Sequence, residues 1–165
     1  SGKTTLAGRL VDHLRSNGYR VAGILSAGSW QNGLRNRFHV TDLSSGLSEL
    51  LAERSDKPAG SGMAFRFHEK GIDAGRAALR TEVCRNAQVV VVDEIGKLEL
   101  DGKGWAPCLQ PLLLLKGIVH VWVVREQLLP AVCTHWDIGP GIIVDCEDPD
   151  AIDILTHEIE RLLSG

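Results

Sequence analysis

Two short stretches carry residue types suited to phosphate chemistry. The chain opens on Ser1-Gly2-Lys3-Thr4-Thr5, which matches the second half of G-x-x-x-x-G-K-[ST], with a helical pattern of apolar residues immediately after it. A glycine there lets the backbone approach a phosphate closely, and the Lys3 ammonium can reach β- and γ-oxygens. The Thr4 hydroxyl can ligate Mg²⁺, and the start of a helix adds amide donors and a favourable dipole. Far along the chain, Gln88-Val89-Val90-Val91-Val92 ends in two adjacent carboxylates, Asp93 and Glu94. At the tip of a buried strand, the first can hold Mg²⁺ through a bound water while the second orients and deprotonates an attacking water. Glu94 and Lys3 are therefore the candidate catalytic residues, and Thr4 and Asp93 the candidate metal ligands. Ser1, Gly2, Lys3, Thr4 and Thr5 are the candidate nucleotide contacts. Each stretch alone has a plain structural reading, as a helix start or as acids at a strand end. Both together, in this order and each on the fitting element, point to a bound nucleoside triphosphate.

The elements that must position these groups follow from periodicity. Leu6, Leu10, Val11 and Leu14 have helical spacing, and Asn17-Gly18 is a stop signal. Residues 20–25 read as a buried strand, the Gly- and Asn-rich stretch 27–33 as a turn, and 37–43 as the returning strand of an antiparallel hairpin. Residues 44–52 read as a short helix or loop, 57–62 as a flexible connection, 63–67 as a strand, and 73–85 as a helix capped by Asp73. The run 88–93 has the unbroken apolar character of a central parallel strand. Beyond it come a helix over 104–115 interrupted by Pro107 and Pro111, a strand over 118–124, a helix over 125–132, a short terminal strand over 142–144, and an amphipathic helix over 148–163. Strands alternating with helices imply an α/β layer with a mostly parallel sheet.

Size and composition set the frame. A chain of 165 residues, 44% apolar and 24% charged, suits one soluble domain with its own core, and no apolar run is long enough to span a bilayer. A net charge of -3 gives no support to a nucleic-acid partner that relies on a broad basic surface, while leaving room for a local basic groove. Cys84, Cys108, Cys133 and Cys146 form no C-x-x-C pair and stand at no zinc spacing. Reduced thiols and no signal-peptide pattern lead to a cytoplasmic expectation.

Asp93-Glu94-Ile95-Gly96-Lys97-Leu98-Glu99-Leu100 resembles the D-E-I-G-x-[ML]-E-L signature of the cancer-related nucleoside-triphosphatase family. Gly2 to Leu6, Gly18 to Leu25, Arg37-Phe38, and Asp42-Leu43 with Gly46 add weaker matches, so that the resemblance runs along nearly the whole chain. It implies a P-loop NTPase: a three-layer α/β sandwich around a RecA-like, mostly parallel sheet with an antiparallel hairpin. It also implies slow, Mg²⁺-dependent hydrolysis of ATP, GTP and other triphosphates, with Lys3, Thr4, Asp93 and Glu94 inheriting the Walker A and Walker B roles. The family begins with a strand and the first glycine of the phosphate loop. Neither precedes Ser1, so the expectation for 1–165 is a single domain truncated at its N-terminus, its first strand absent from this chain.

Lesser candidates are weaker. Arg125 follows the strand 118–124 at the carboxyl edge, where ligands bind in open α/β sheets, and is carried as a nucleotide contact. Glu99 can support the metal shell or hydrogen-bond a loop. Trp122 is expected in the core. Two other functions share most of these residues. A phosphotransferase would use Glu94 on an acceptor hydroxyl. A GTP-binding adaptor similar to the molybdopterin-dinucleotide assembly protein would share the S-G-K-T-T-L start, but that likeness stops before Asp93.

Overall fold

The computed structural model describes residues 2–55 and 65–165, and the connection expected over 57–62 and the start of the strand at 63–64 lie outside them. Helix α1 (Lys3–Ser16) buries Ala7, Leu10, Val11 and Leu14 along one stripe, as the spacing requires. Strands β1 (Val21–Gln31) and β2 (Leu34–Asp42) form the expected hairpin, with Ile24 opposite Asp42 and Gln31 opposite Leu34. The antiparallel pairing then continues through β3 (Ser48–Arg54) to β4 (Phe65–Phe67). Helices α2 (Glu69–Ala78) and α3 (Thr81–Cys84) lead into β5 (Val89–Ile95). After α4 (Lys97–Leu100) and α5 (Ala106–Leu113) come β6 (Val119–Val124), a 3₁₀ turn over Glu126–Leu128, α6 (Leu129–His135) and α7 (Ala151–Ser164).

The sheet has the order β4-β3-β2-β1-β5-β6, with β1, β5 and β6 mutually parallel and the other neighbours antiparallel. It is thus mixed, a parallel core extended by an antiparallel arm. One apolar layer joins α1 and α7 to Val89 and Val91, while Val90 and Val92 face the other layer with Trp105, Leu109, Leu112 and Val132. Burial of β5 on both faces explains its unbroken valine run. Tight approach to β5 also explains Gly23, whose Cβ would fall 1.9 Å from the Val91 carbonyl oxygen.

Several boundaries differ from the sequence reading. Residues 48–54 are a strand, although Glu, Leu, Ala and Arg favour helices; pairing with β2 and burial of Leu51 and Ala52 outweigh local propensity. A register shift opposite Phe38 and His39 leaves Leu51 extra, so two consecutive residues are buried and the alternation that marks a strand is broken. The helix expected over 73–85 starts earlier, at Glu69, and breaks at Arg80, which is extended (φ -62°, ψ 144°). Its buried face is Gly71, Gly75 and Ala78, and Gly71 lies against the Leu50 carbonyl of β3, so close packing rather than the Asp73 cap sets the start.

Residues 142–144 form no strand; Ile142 and Ile143 are exposed, and across a groove of about 690 Å³ from β6 they have no ladder partner among the described residues. Trp122, expected in the core, is half-buried at its margin, packed edge-on against Trp136 at 5.6 Å.

Candidate functional site

The first element of the site is the start of α1. Gly2 occupies its N-cap with φ 83°, a left-handed conformation open to glycine, and the space where a Cβ would project is empty. The conformation, not crowding, therefore calls for glycine here. Lys3 and Thr4 fill the first helical positions, both half-buried, and Thr5 is exposed beside them. No acidic residue stands in this first turn, so the amide ends keep their attraction for anions. Ser1 lies outside the described residues.

The second element is the carboxyl end of β5, and the two meet. Thr4 Oγ1 donates to Asp93 Oδ2 at 2.8 Å, joining residues 89 positions apart. The Ser26 amide of β1 donates to the same oxygen at 3.0 Å. Asp93 is wholly buried, and burial pushes its carboxyl up to about 6, with the Ser26 and Thr4 hydrogen bonds opposing that rise. Its other oxygen, Oδ1, is buried with no hydrogen-bond partner, and the buried Ser26 hydroxyl also has none. A buried carboxylate with one orphaned oxygen is a costly arrangement unless something cationic completes it.

Hard oxygen donors of this kind suit a small divalent cation that keeps most of its waters. Among the described residues no cluster of three His, Cys, Asp or Glu side chains could hold a metal by itself.

Glu94 is set apart from Asp93 by a bulge. Val92 pairs with Trp122 and Ile95 with Val124, so Asp93 and Glu94 together oppose the single residue Val123. Without that extra residue Glu94 would point into the layer occupied by Val90 and Val92. With it, Ile95 fills that layer and Glu94 is exposed, at φ 64°. A non-glycine residue held left-handed is strained by about 1 kcal/mol or more, which the flanking structure must impose.

Lys3 lines the groove beside β6, together with Leu6, Val121 and Val123. Arg125 is exposed one residue past Val124, which pairs with Ile95, and so stands at the same edge of the sheet as the 93–96 turn. One participant, Ser26, escaped the sequence reading, and Glu99 takes one of the two roles expected for it. Ser26 contributes a backbone donor and an orphaned hydroxyl; the only signal was a small polar residue directly after the apolar run 20–25. Glu99 is buried, and its two oxygens accept from the Gly96 and Trp105 amides at 2.8 and 3.1 Å. Those two bonds brace the loops on either side of α4.

A family model described as NTPase matches residues 1–136. The nucleoside-triphosphatase THEP1 of Korarchaeum cryptofilum is 37% identical over 105 residues, covering 61% of this chain and 51% of that protein. Its counterpart from Methanothermobacter thermautotrophicus is 28% identical over 156 residues, covering 92% and 86%. The solution structure of a human cancer-related nucleoside triphosphatase matches with a TM-score of 0.68 at 22% identity, over 100% of this chain and 93% of that one. At that identity the structural match speaks for the fold. No helix among the described residues is long and apolar enough to cross a membrane.

Proposed function

Since this chain belongs to the NTPase family and is a hydrolase of nucleoside triphosphates, we propose that its reaction is Mg²⁺-dependent and runs at the junction of Thr4, Asp93 and Glu94. The observation that carries this reading is the 2.8 Å contact between Thr4 and a buried Asp93 whose second oxygen has no partner. Thr4 Oγ1 and the Asp93 carboxylate are the groups that would hold Mg²⁺. When bound, the ion neutralises charge on the β- and γ-phosphate oxygens.

The chain's own groups do the rest. The α1 amide ends and the Lys3 ammonium bind and orient the triphosphate, with Gly2 supplying the left-handed entry and Ser1 and Thr5 further contacts. Arg125, at the same sheet edge, offers a cation to the γ-phosphate. Glu94, exposed where Asp93 is buried, accepts a proton as water oxygen bonds to the γ-phosphorus. The bond from that phosphorus to the bridging oxygen breaks, and the products are nucleoside diphosphate and phosphate. Two adjacent acids thus take different work because the bulge gives them different surroundings. The four cysteines stand as thiols, which supports a cytoplasmic setting.

The test is phosphate release by Glu94→Gln against wild type with saturating ATP and Mg²⁺, alongside nucleotide binding. Retained binding with turnover reduced by roughly 10²-fold or more is expected. Unchanged turnover would remove Glu94 from this role.

A further inference from the structure

Two acidic side chains are buried among the described residues, Asp93 and Glu99, and only the first has been given work. Glu99 lies in the short helix α4, just past the turn that carries Glu94. Its Oε1 accepts the Gly96 amide at 2.8 Å, on the segment leaving β5, and its Oε2 accepts the Trp105 amide at 3.1 Å, at the entry to α5. Two amides converge on one carboxylate. An ionised group supplies both acceptors, whereas a glutamine supplies one oxygen and turns an N–H toward an N–H. Burial pushes the Glu99 carboxyl up, and the Gly96 and Trp105 amides oppose that rise.

The carboxylate has little room to move. A Cβ at Gly104 would lie 1.9 Å from Glu99 Oε2, and a Cβ at Gly75 would lie 2.4 Å from the Trp105 ring. The Arg76 guanidinium of α2 donates to the Gly104 carbonyl at 2.8 Å, tying the same turn to a second helix. The Gly96 end of the Glu94 turn is therefore anchored through Glu99 to α2 and α5. Its other end, Asp93, is anchored by Thr4 and Ser26. Between these anchors sits a left-handed glutamate, a conformation that persists only where its neighbours over-determine it.

We propose that Glu99 is a positioning residue for the reaction: by holding the Gly96 and Trp105 amides on one buried carboxylate, it fixes the left-handed turn that presents Glu94 to the attacking water. The proposal rests on the reading of Glu94 as the base. Misplacing a catalytic group by about 1 Å is enough to lower turnover on the order of 10²-fold while leaving phosphate contacts intact.

The test is a double-mutant cycle on the full chain with Glu94→Gln and Glu99→Gln, reading kcat, KM and the Kd of a fluorescent triphosphate. Expected is a fall in kcat of about 10- to 100-fold for Glu99→Gln, with KM and Kd within about twofold, and no further fall when Glu99→Gln is added to Glu94→Gln. Wild-type kcat in Glu99→Gln overturns the proposal, as does a loss that multiplies in full with that of Glu94→Gln. A parallel loss of triphosphate binding overturns it too, because it marks a general structural role. Wild-type kcat in Glu94→Gln alone removes the base itself, and that outcome is distinguishable because it does not involve Glu99. If Glu99→Gln does not fold, Glu99→Asp and Gly104→Ala displace the carboxylate from opposite sides; undiminished kcat in either overturns the proposal. The Gly96 amide in the wild type is expected to exchange slowly with solvent, and exchange at the rate of an open loop overturns it as well.

Discussion

Thr4 Oγ1 donates its hydrogen to Asp93 Oδ2 at 2.8 Å, which joins the start of the first helix to the tip of β5. The Ser26 amide, the Thr4 hydroxyl and the Glu94 backbone oppose the desolvation of that carboxylate. Thr4→Ala removes that hydroxyl bond and one proposed ligand together. Hydrogen bonds to charged groups contribute about 1.5–3 kcal/mol. A fall in kcat/KM of roughly 10- to 100-fold is expected, partly restored by Mg²⁺ excess, and Thr4→Ser should recover most of it. Phosphate release across a Mg²⁺ titration decides the point.

Asp93 makes stability depend on pH in the metal-free protein. Its carboxyl stands at about 6 when folded, above the ordinary 3.8, so the folded state holds the proton more tightly than the unfolded chain. Stability from this group is complete below the lower value and lost as pH rises through the window to about 6. The loss is about 3 kcal/mol at most, by the conversion of roughly two pKa units. Urea melts in EDTA should show a fall over that window in the wild type that is absent from Asp93→Asn. Equal slopes for both proteins would contradict it.

Glu94 is held at φ 64°, and a glycine adopts that conformation without strain. Glu94→Gly is expected to stabilise the fold by about 1 kcal/mol while abolishing most turnover; Glu94→Ala loses turnover with no such gain. Thermal melts paired with phosphate release separate the two effects. A Glu94→Gly protein less stable than Glu94→Ala would show that the turn is not strained.

Lys3 lies half-buried at the first position of α1, where its removal leaves the buried stripe of that helix untouched. Lys3→Ala is expected to weaken triphosphate binding on the order of tenfold or more, with a smaller effect on diphosphate and little change in the melting temperature. Calorimetric titration with both nucleotides is the measurement. Equal losses for the two would place the ammonium away from the γ-phosphate.

Much of the parallel core was legible in the residues themselves. The valine run 89–92 could only be a strand buried on both faces, and Leu10, Val11 and Leu14 could only be one stripe of a helix. Of the antiparallel arm the β1–β2 hairpin was legible too, but β3 was not, because it is made of residues that favour helices and its alternation is broken at Leu51. Its strand character exists through pairing with β2, a relation between distant segments that no local window contains. The run 142–144 failed for the converse reason: apolar residues make a strand only where a neighbouring ladder accepts them.

By itself the sequence determined the chemistry on offer: an amide-rich helix start with Lys3 and Thr4, and two acids at the end of a buried strand. These follow from residue type and spacing, which act locally. Tertiary structure decided how the two acids differ. One extra residue opposite Val123 buries Asp93 against Thr4 and Ser26 and turns Glu94 outward into a left-handed conformation, with Glu99 bracing the far end of that turn. Burial and register are properties of neighbouring strands, and they set which carboxylate is enclosed and which faces outward.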